Sequence, residues 1–348
     1  MLSGESHISV YKNRIMELDF FKGLAILFVV CGHVIQFNGV GDPNGNPAYT
    51  WIYSFHMPLF FFISGYLISF TGRELSVESV AKKIKALLVP FCTWTFILFP
   101  LFSNHSLFFS FNEFFNPNSK FWFVYLLFLY SMIYYVSDYV YRNSRLGGAF
   151  VVIAFGGVFL FGEFFYHCSL FSRGIQFYPI YIYGVVAHKM SFASSKWIDN
   201  SLVQSLLLVF FVTTSLSYCR FDSSSINKMM KFVASASICT MVLSYMKLQL
   251  FQRYNGACLP IQNGIYLLGR NSIVIYLTHF LFVKIWIMPG VMERLTPVWN
   301  LVLSLLFSLF IAAVCLLIGK IVERHLWVNR FVYGRGWSYK KRFLDKDR

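Results

Sequence analysis

Charge is scarce in this chain. Of its 348 residues, 13% are Asp, Glu, Lys or Arg, against roughly 25% in a soluble domain, so a polar shell of the usual extent cannot be built. Acidic residues are the scarcer kind, 15 against 30 basic ones, which leaves a net charge of +15. No polar stretch is long enough to form a soluble basic domain, which argues against a nucleic-acid partner. The seven cysteines (Cys31, Cys92, Cys168, Cys219, Cys239, Cys258, Cys315) follow no Cys-x-x-Cys or other metal-ligand spacing. They read as small apolar packing residues, and no metal is expected. No linker or low-complexity segment divides the chain. No internal duplication is visible, which counts against transporters built from inverted repeats. The stretch from Met1 to Asn13 lacks the basic-then-apolar layout of a cleavable signal.

What the chain has instead is apolar length. It is 57% hydrophobic and 20% aromatic, with a mean hydropathy of +0.58. Apolar runs recur near 20–38, 52–70, 86–104, 121–141, 147–166, 175–190, 202–218, 229–248, 271–288 and 299–320. Runs of about this length span a bilayer as helices, so the expectation is an all-α integral membrane protein with about ten transmembrane helices. An even number puts both termini on one side. Under that topology 22 basic residues fall on the side of the termini and seven on the other, with Lys22 inside the first run. The positive-inside rule then makes both termini cytoplasmic. Three parts follow: residues 1–19 as a cytoplasmic segment, 20–320 as one transmembrane domain, and 321–348 as a basic tail against the anionic headgroups of membrane lipids. The external turn from Gly39 to Pro47, dense in turn formers, is either a connector or a lid.

Two ionisable groups lie inside the first run. Lys22 and His33 are eleven residues apart, which on a helix is three turns plus about 20° and roughly 16 Å of rise. They share one stripe, and an ionisable residue at membrane depth marks a functional site by default. The second run opens Phe55-His56-Met57-Pro58 and continues to Ser64-Gly65, where small residues permit close helix approach. In the hairpin of the first two runs, His56 faces His33 and serves either chemistry or an interfacial bond to a carbonyl. Pro58 is read as lying within the first turns, where its missing N–H is tolerated. Lys82, Lys83 and Lys85 precede Pro90 and are either flanking positive-inside charges or a phosphate-binding cluster. His279 lies about 12 Å into the ninth run, and Arg270 stands at its cytoplasmic entrance.

Together these pieces resemble the membrane-bound acyltransferase-3 family. Asp19-Phe20-Phe21-Lys22-Gly23-Leu24-Ala25-Ile26 followed by His33 is similar to that family's opening signature, an Arg or Lys, ten residues, and a His. Phe55 to Leu67, the basic cluster before Pro90, Phe121-Trp122-Phe123 and Ser272 to His279 are similar to further parts of the family, so the resemblance covers about residues 14–320. With Lys-Gly in the first run and His-Met-Pro-Leu in the next, the chain resembles the fucose 4-O-acetylase-like branch. Where many members have Arg-x-x-Arg before the proline, this chain has Lys83 and Ala86, with Lys85 offset by one.

The resemblance implies O-acetyl transfer in a bacterial plasma (inner) membrane. The donor would be cytoplasmic acetyl-CoA, a co-substrate, and the acceptor a hydroxyl of a cell-envelope sugar or lipid-linked glycan. Such chemistry needs a base, oxyanion stabilisation and a grip on donor phosphates. His33 is the expected base. Lys22, Lys82, Lys83, Lys85 and Arg270 are the expected donor contacts. His279 either binds the oxyanion or thioester carbonyl or makes a structural hydrogen bond. The rival class is a transporter or flippase that uses the Lys22–His33 stripe as a proton or substrate relay. Against it stand the clustered lysines. The absence of His-x-x-x-x-Asp argues against the glycerolipid acyltransferases.

Overall fold

The computed structural model describes residues 16–39, 42–102, 121–166, 169–192, 195–220, 224–247, 259–283 and 294–337. Expectations for the first fifteen residues, for the segment 105–120 and for the tail beyond Trp337 lie outside the described residues. Within them the chain is helical with no strand. In order the helices are α1 (Met16–Asn38), α2 (Pro47–Phe70), α3 (Val77–Lys83), α4 (Val89–Phe102), α5 (Trp122–Asn143), α6 (Arg145–Tyr166), α7 (Ser169–Lys189), α8 (Ser201–Ser217), α9 (Ser224–Lys247), α10 (Leu259–Arg270), α11 (Ser272–Thr278), α12 (Phe280–Val283), α13 (Pro297–Glu323) and α14 (Leu326–Tyr333). Helix occupies each of the ten apolar runs. Among the described residues, six helical stretches are long and apolar enough to cross a membrane: Met16–Asn38, Pro47–Phe70, Trp122–Asn143, Arg145–Gly162, Ser225–Met246 and Pro297–Glu323. The protein is therefore a multi-pass membrane bundle.

Three helices fall outside the apolar runs. The segment before Arg270, which reads in sequence as a connection, contains α10, which packs along the Lys22 half of α1. Gln262 and Asn263 break its hydropathy, so the run is amphipathic rather than apolar. α14, in what the sequence suggests is a tail, packs back on α4, with Trp94 Nε1 donating to Val332 O at 2.8 Å. Between α3 and α4 the residues Ile84–Leu88 form a π-helical turn, a local widening that re-aims the side chains around the lysine cluster.

α2 begins earlier than its apolar run suggests. Asn46 caps it, its side chain accepting from the N–H groups of Ala48 and Tyr49 at 2.9 and 3.3 Å, and Pro47 stands at the first helical position. Pro58 is consequently in the helix interior, not in its first turns. Its ring nitrogen cannot bond the carbonyl of Ser54, and an unsatisfied carbonyl is costly in a membrane. Ser235 of α9 answers it: its Oγ lies 3.1 Å from Ser54 O while also bonding Lys231 O within its own helix.

Glycines set the closest helix contacts. Gly65 lies against the carbonyl of Tyr181 and Gly184 against that of Phe62, which locks α2 onto α7 reciprocally. Gly23 against Ile265 and Gly269 against Asp19 do the same for α1 and α10. A Cβ at any of these would overlap backbone. Gly184→Ala is expected to destabilise the bundle by about 1–3 kcal/mol through overpacking, seen as a lower thermal unfolding midpoint in detergent. Gly157→Ala, where a Cβ meets nothing, should leave the midpoint in place.

Candidate active site

The two ends of the α1 stripe have different surroundings. At one end His33 meets α2, α11 and α12. Its ring stacks on His279, with centroids 5.3 Å apart and an interplanar angle of 30°, and Phe280 is 4.8 Å away. Tyr53 stands edge-on to His33 at 6.4 Å and to His56 at 4.7 Å. The structure thus pairs His33 with His279 directly, and reaches His56 through Tyr53.

Hydrogen bonds fix the tautomers. His56 Nδ1 lies 2.7 Å from Ile52 O and His279 Nδ1 lies 3.1 Å from Ile275 O. A backbone carbonyl only accepts, so each Nδ1 carries the proton and each Nε2 keeps its lone pair. His33 Nδ1 lies 2.9 Å from Gln36 Oε1, which also accepts from Tyr53 Oη at 3.3 Å, so His33 has the same tautomer. His279 is fully buried, and its Nε2 has no hydrogen-bond partner among the described residues. In this form His279 offers its neighbours an acceptor.

At the other end, Lys22 Nζ pairs with the buried Asp19 Oδ1 at 3.3 Å. It also borders a cavity of about 100 Å³ lined by Ser64, Leu87, Phe123, Ser272 and Tyr276 among others. Tyr276 in turn lies 5.9 Å from His279, centroid to centroid. The cavity thus has Lys22 on its wall and, in Tyr276, a ring neighbour of His279. Ser64 also lines this cavity.

The three lysines before Pro90 diverge. Lys82 turns to Glu78 at 2.6 Å in an exposed i,i+4 pair. Lys85 lies over the Trp337 ring at 5.1 Å. Lys83 precedes Leu87 of the cavity by four residues, about one turn. Its half-buried ammonium is destabilised by burial and by the nearby Arg73, which lowers its pKa to about 8. Arg270 lies apart from the Lys22 cavity. It borders a second groove of about 790 Å³ between α10, α11 and α13, together with Asn271, Lys320, Glu323 and Arg335. Arg335 bridges Asn271 Oδ1, Glu323 Oε1 and Arg270 O at 3.0, 3.0 and 3.2 Å.

Sequence reasoning does not single out Gln36, Tyr53, Arg173, Tyr276 or Lys231. Gln36 and Tyr53 carry a usable signal, since each stands three residues from a histidine on a helix. Lys231 reads as a flanking charge, yet it is only 8% exposed.

A helical membrane bundle with a cation at one end of a stripe and paired imidazoles at the other defines a class, and the comparisons identify it. Over residues 15–317 the chain matches the family described as an acyltransferase domain, Acyl_transf_3, and it belongs to that family. The acyltransferase class implied by its first two motifs is the one this family defines. Among curated relatives, Nodulation protein NolL of Mesorhizobium japonicum is 37% identical over 93 residues, 26% of this chain and 25% of that protein. Nodulation protein NolL of Sinorhizobium fredii is 40% identical over 86 residues, 24% of each. The chain thus matches about a quarter of the length of these relatives. No solved structure matches it at a significant level.

Proposed function

We propose that the protein is a membrane O-acetyltransferase, moving an acetyl group from cytoplasmic acetyl-CoA to a hydroxyl of a cell-envelope sugar or lipid-linked glycan. The observation that carries this reading is the cavity lined by Lys22 and by Tyr276, whose ring lies 5.9 Å from that of His279, the partner of His33 in a stacked pair. In this reading the Lys22 end faces the cytoplasm, in a bacterial inner membrane, with both termini on that side. Lys22 and Lys83 hold donor phosphates, Lys82 and Lys85 add positive potential at the mouth, and Arg270 draws the donor from the neighbouring groove. The pantetheine arm extends along the roughly 16 Å of the stripe.

The acceptor hydroxyl gives its proton to His33 Nε2 as its oxygen attacks the thioester carbonyl. A C–O bond forms, the tetrahedral oxyanion collapses, the C–S bond breaks, and the leaving thiolate takes the proton back from the imidazolium. Gln36 and Tyr53 hold the imidazole in the required tautomer. His279 holds the His33 ring by stacking on it, and His56 orients the Tyr53 side of the site.

Donor affinity should depend on pH through Lys83. A lysine with its pKa lowered to about 8 is charged below that pH and loses its charge above it, so the KM for acetyl-CoA should rise as pH passes about 8. Lys83→Arg, charged throughout, should flatten that rise; an identical profile in both proteins would remove Lys83 from the donor site. The reaction itself is tested with membranes containing the protein, radiolabelled acetyl-CoA and envelope glycans. Label in the glycan fraction, released by mild alkali as an ester would be, is the expected result. Label that stays on acetyl-CoA with every glycan fraction would overturn the reading.

A further inference from the structure

The His33 end of the bundle holds a buried cation that the acyl-transfer steps do not use. Lys231 of α9 is 8% exposed and has no carboxylate partner among the described residues. Its Nζ lies 5.0 Å from the centroid of the Phe177 ring and 5.4 Å from that of Tyr218. Phe177 is stacked on Trp122, with centroids 5.4 Å apart and an interplanar angle of 21°. On Trp122 lies a second cation, the Arg173 guanidinium, at 4.8 Å. Two positive groups are therefore held about one stacked aromatic pair, and Arg173 is an electrostatic neighbour of Lys231. Lys231 also acts on His56, and Arg173 on Tyr53 and Tyr276, so both charges face the histidine cluster.

A lone ammonium at this burial is costly, and a second cation beside it adds repulsion. Aromatic faces offset part of that cost. An anion beside Lys231 would offset the rest. The donor's phosphates belong at the Lys22 end, three helical turns away along α1, so they do not supply it.

We propose that Lys231 and Arg173 form an anion-binding subsite for the acceptor, which carries a phosphate or carboxylate group close to the hydroxyl that is acylated. This rests on the acyltransferase reading for the word acceptor; the anion site itself does not. The anion is held by charge-assisted contacts from both cations. The acceptor hydroxyl is thereby brought to the His33 side of Tyr53. A neutral sugar with the same hydroxyl binds less well because it leaves the Lys231 charge unanswered.

The test is equilibrium binding to purified protein in phosphatidylcholine nanodiscs, with glucose 1-phosphate, glucuronic acid and methyl glucoside as probes, in wild type and Lys231→Met. The expected result is that at least one charged sugar binds wild type about tenfold or more tightly than methyl glucoside. Lys231→Met should abolish that preference while binding acetyl-CoA like wild type and melting no lower. Preference for glucose 1-phosphate alone assigns a phosphate, and preference for glucuronic acid alone a carboxylate. Equal binding of charged and neutral sugars, or an unchanged preference in Lys231→Met, would make Lys231 a structural cation–π residue and overturn the proposal. Nanodiscs with phosphatidylglycerol supply a further arm: loss of sugar binding there, with Lys231-dependent stabilisation by the lipid, would assign the site to a headgroup and overturn it too. A Lys231-dependent preference without any acetyl-CoA binding would leave the anion site standing and remove the acyltransferase reading.

Discussion

His33→Ala is expected to lower acetyl transfer by about 10²–10⁴-fold, the range for loss of a general base, with little change in thermal stability. The side chain is half-buried, so its removal opens no large cavity in the core. Its Nδ1 proton is committed to Gln36 Oε1 at 2.9 Å, which presents Nε2 as the basic nitrogen. The effect should fall on kcat, because His33 stands at the end of α1 opposite Lys22, the proposed contact for donor phosphates. An acetyl-CoA dissociation constant that rises in step with the loss of activity would instead make His33 a donor-binding residue. Transfer at the wild-type rate would remove it from the chemistry.

The other large effect is expected at His279. Its Nε2 is buried without a hydrogen-bond partner among the described residues, and its ring is stacked on that of His33 at 5.3 Å. Residues that act as a unit show strongly non-additive losses, and His279 is proposed to act through the imidazole it stacks on. His279→Asn, chosen to keep polarity and much of the volume, should cost about 10²-fold in kcat. The double variant with His33→Ala should be little worse than His33→Ala alone. Losses that multiply would show the two imidazoles acting independently, and a full-rate His279→Asn enzyme would leave His279 the structural bond to Ile275 O alone. The conservative substitution also separates function from folding, since a merely structural defect would lower the melting midpoint together with kcat.

Much of this arrangement is visible in the sequence because a bilayer leaves few choices. A chain with 13% charged residues must place its apolar runs as helices, and any ionisable group inside one is conspicuous. That logic singles out Lys22, His33 and His279 from residue order alone. It does not pair His33 with His279, because that contact joins residues far apart in the chain and depends on how α11 returns beside α1. Nor does it find α10, whose Gln262 and Asn263 interrupt the hydropathy while its other face packs on α1 through Gly269. Lys231 illustrates the limit of the charge rule most clearly. Near the start of a Ser- and Ala-rich run it reads as one more flanking lysine, and only the packing of α9 against α2 shows that it is buried beside His56. The lysine cluster shows the reverse case. Three neighbouring charges are equivalent in sequence, yet Lys82 pairs with Glu78 one turn back in α3, Lys85 of the π-helical turn lies over Trp337, and Lys83 is half-buried near Arg73.

The central claim, an acetyltransferase worked by His33 and fed from the Lys22 end, is tested most directly by thiol release from acetyl-CoA. Purified protein in nanodiscs would be given saturating acetyl-CoA, with and without envelope glycans, as wild type, His33→Ala and Lys22→Ala. The account predicts glycan-stimulated thiol release by wild type. His33→Ala should bind acetyl-CoA and release no thiol above background, and Lys22→Ala should recover activity as acetyl-CoA is raised. Glycan-stimulated release that persists at the wild-type rate in His33→Ala would contradict it.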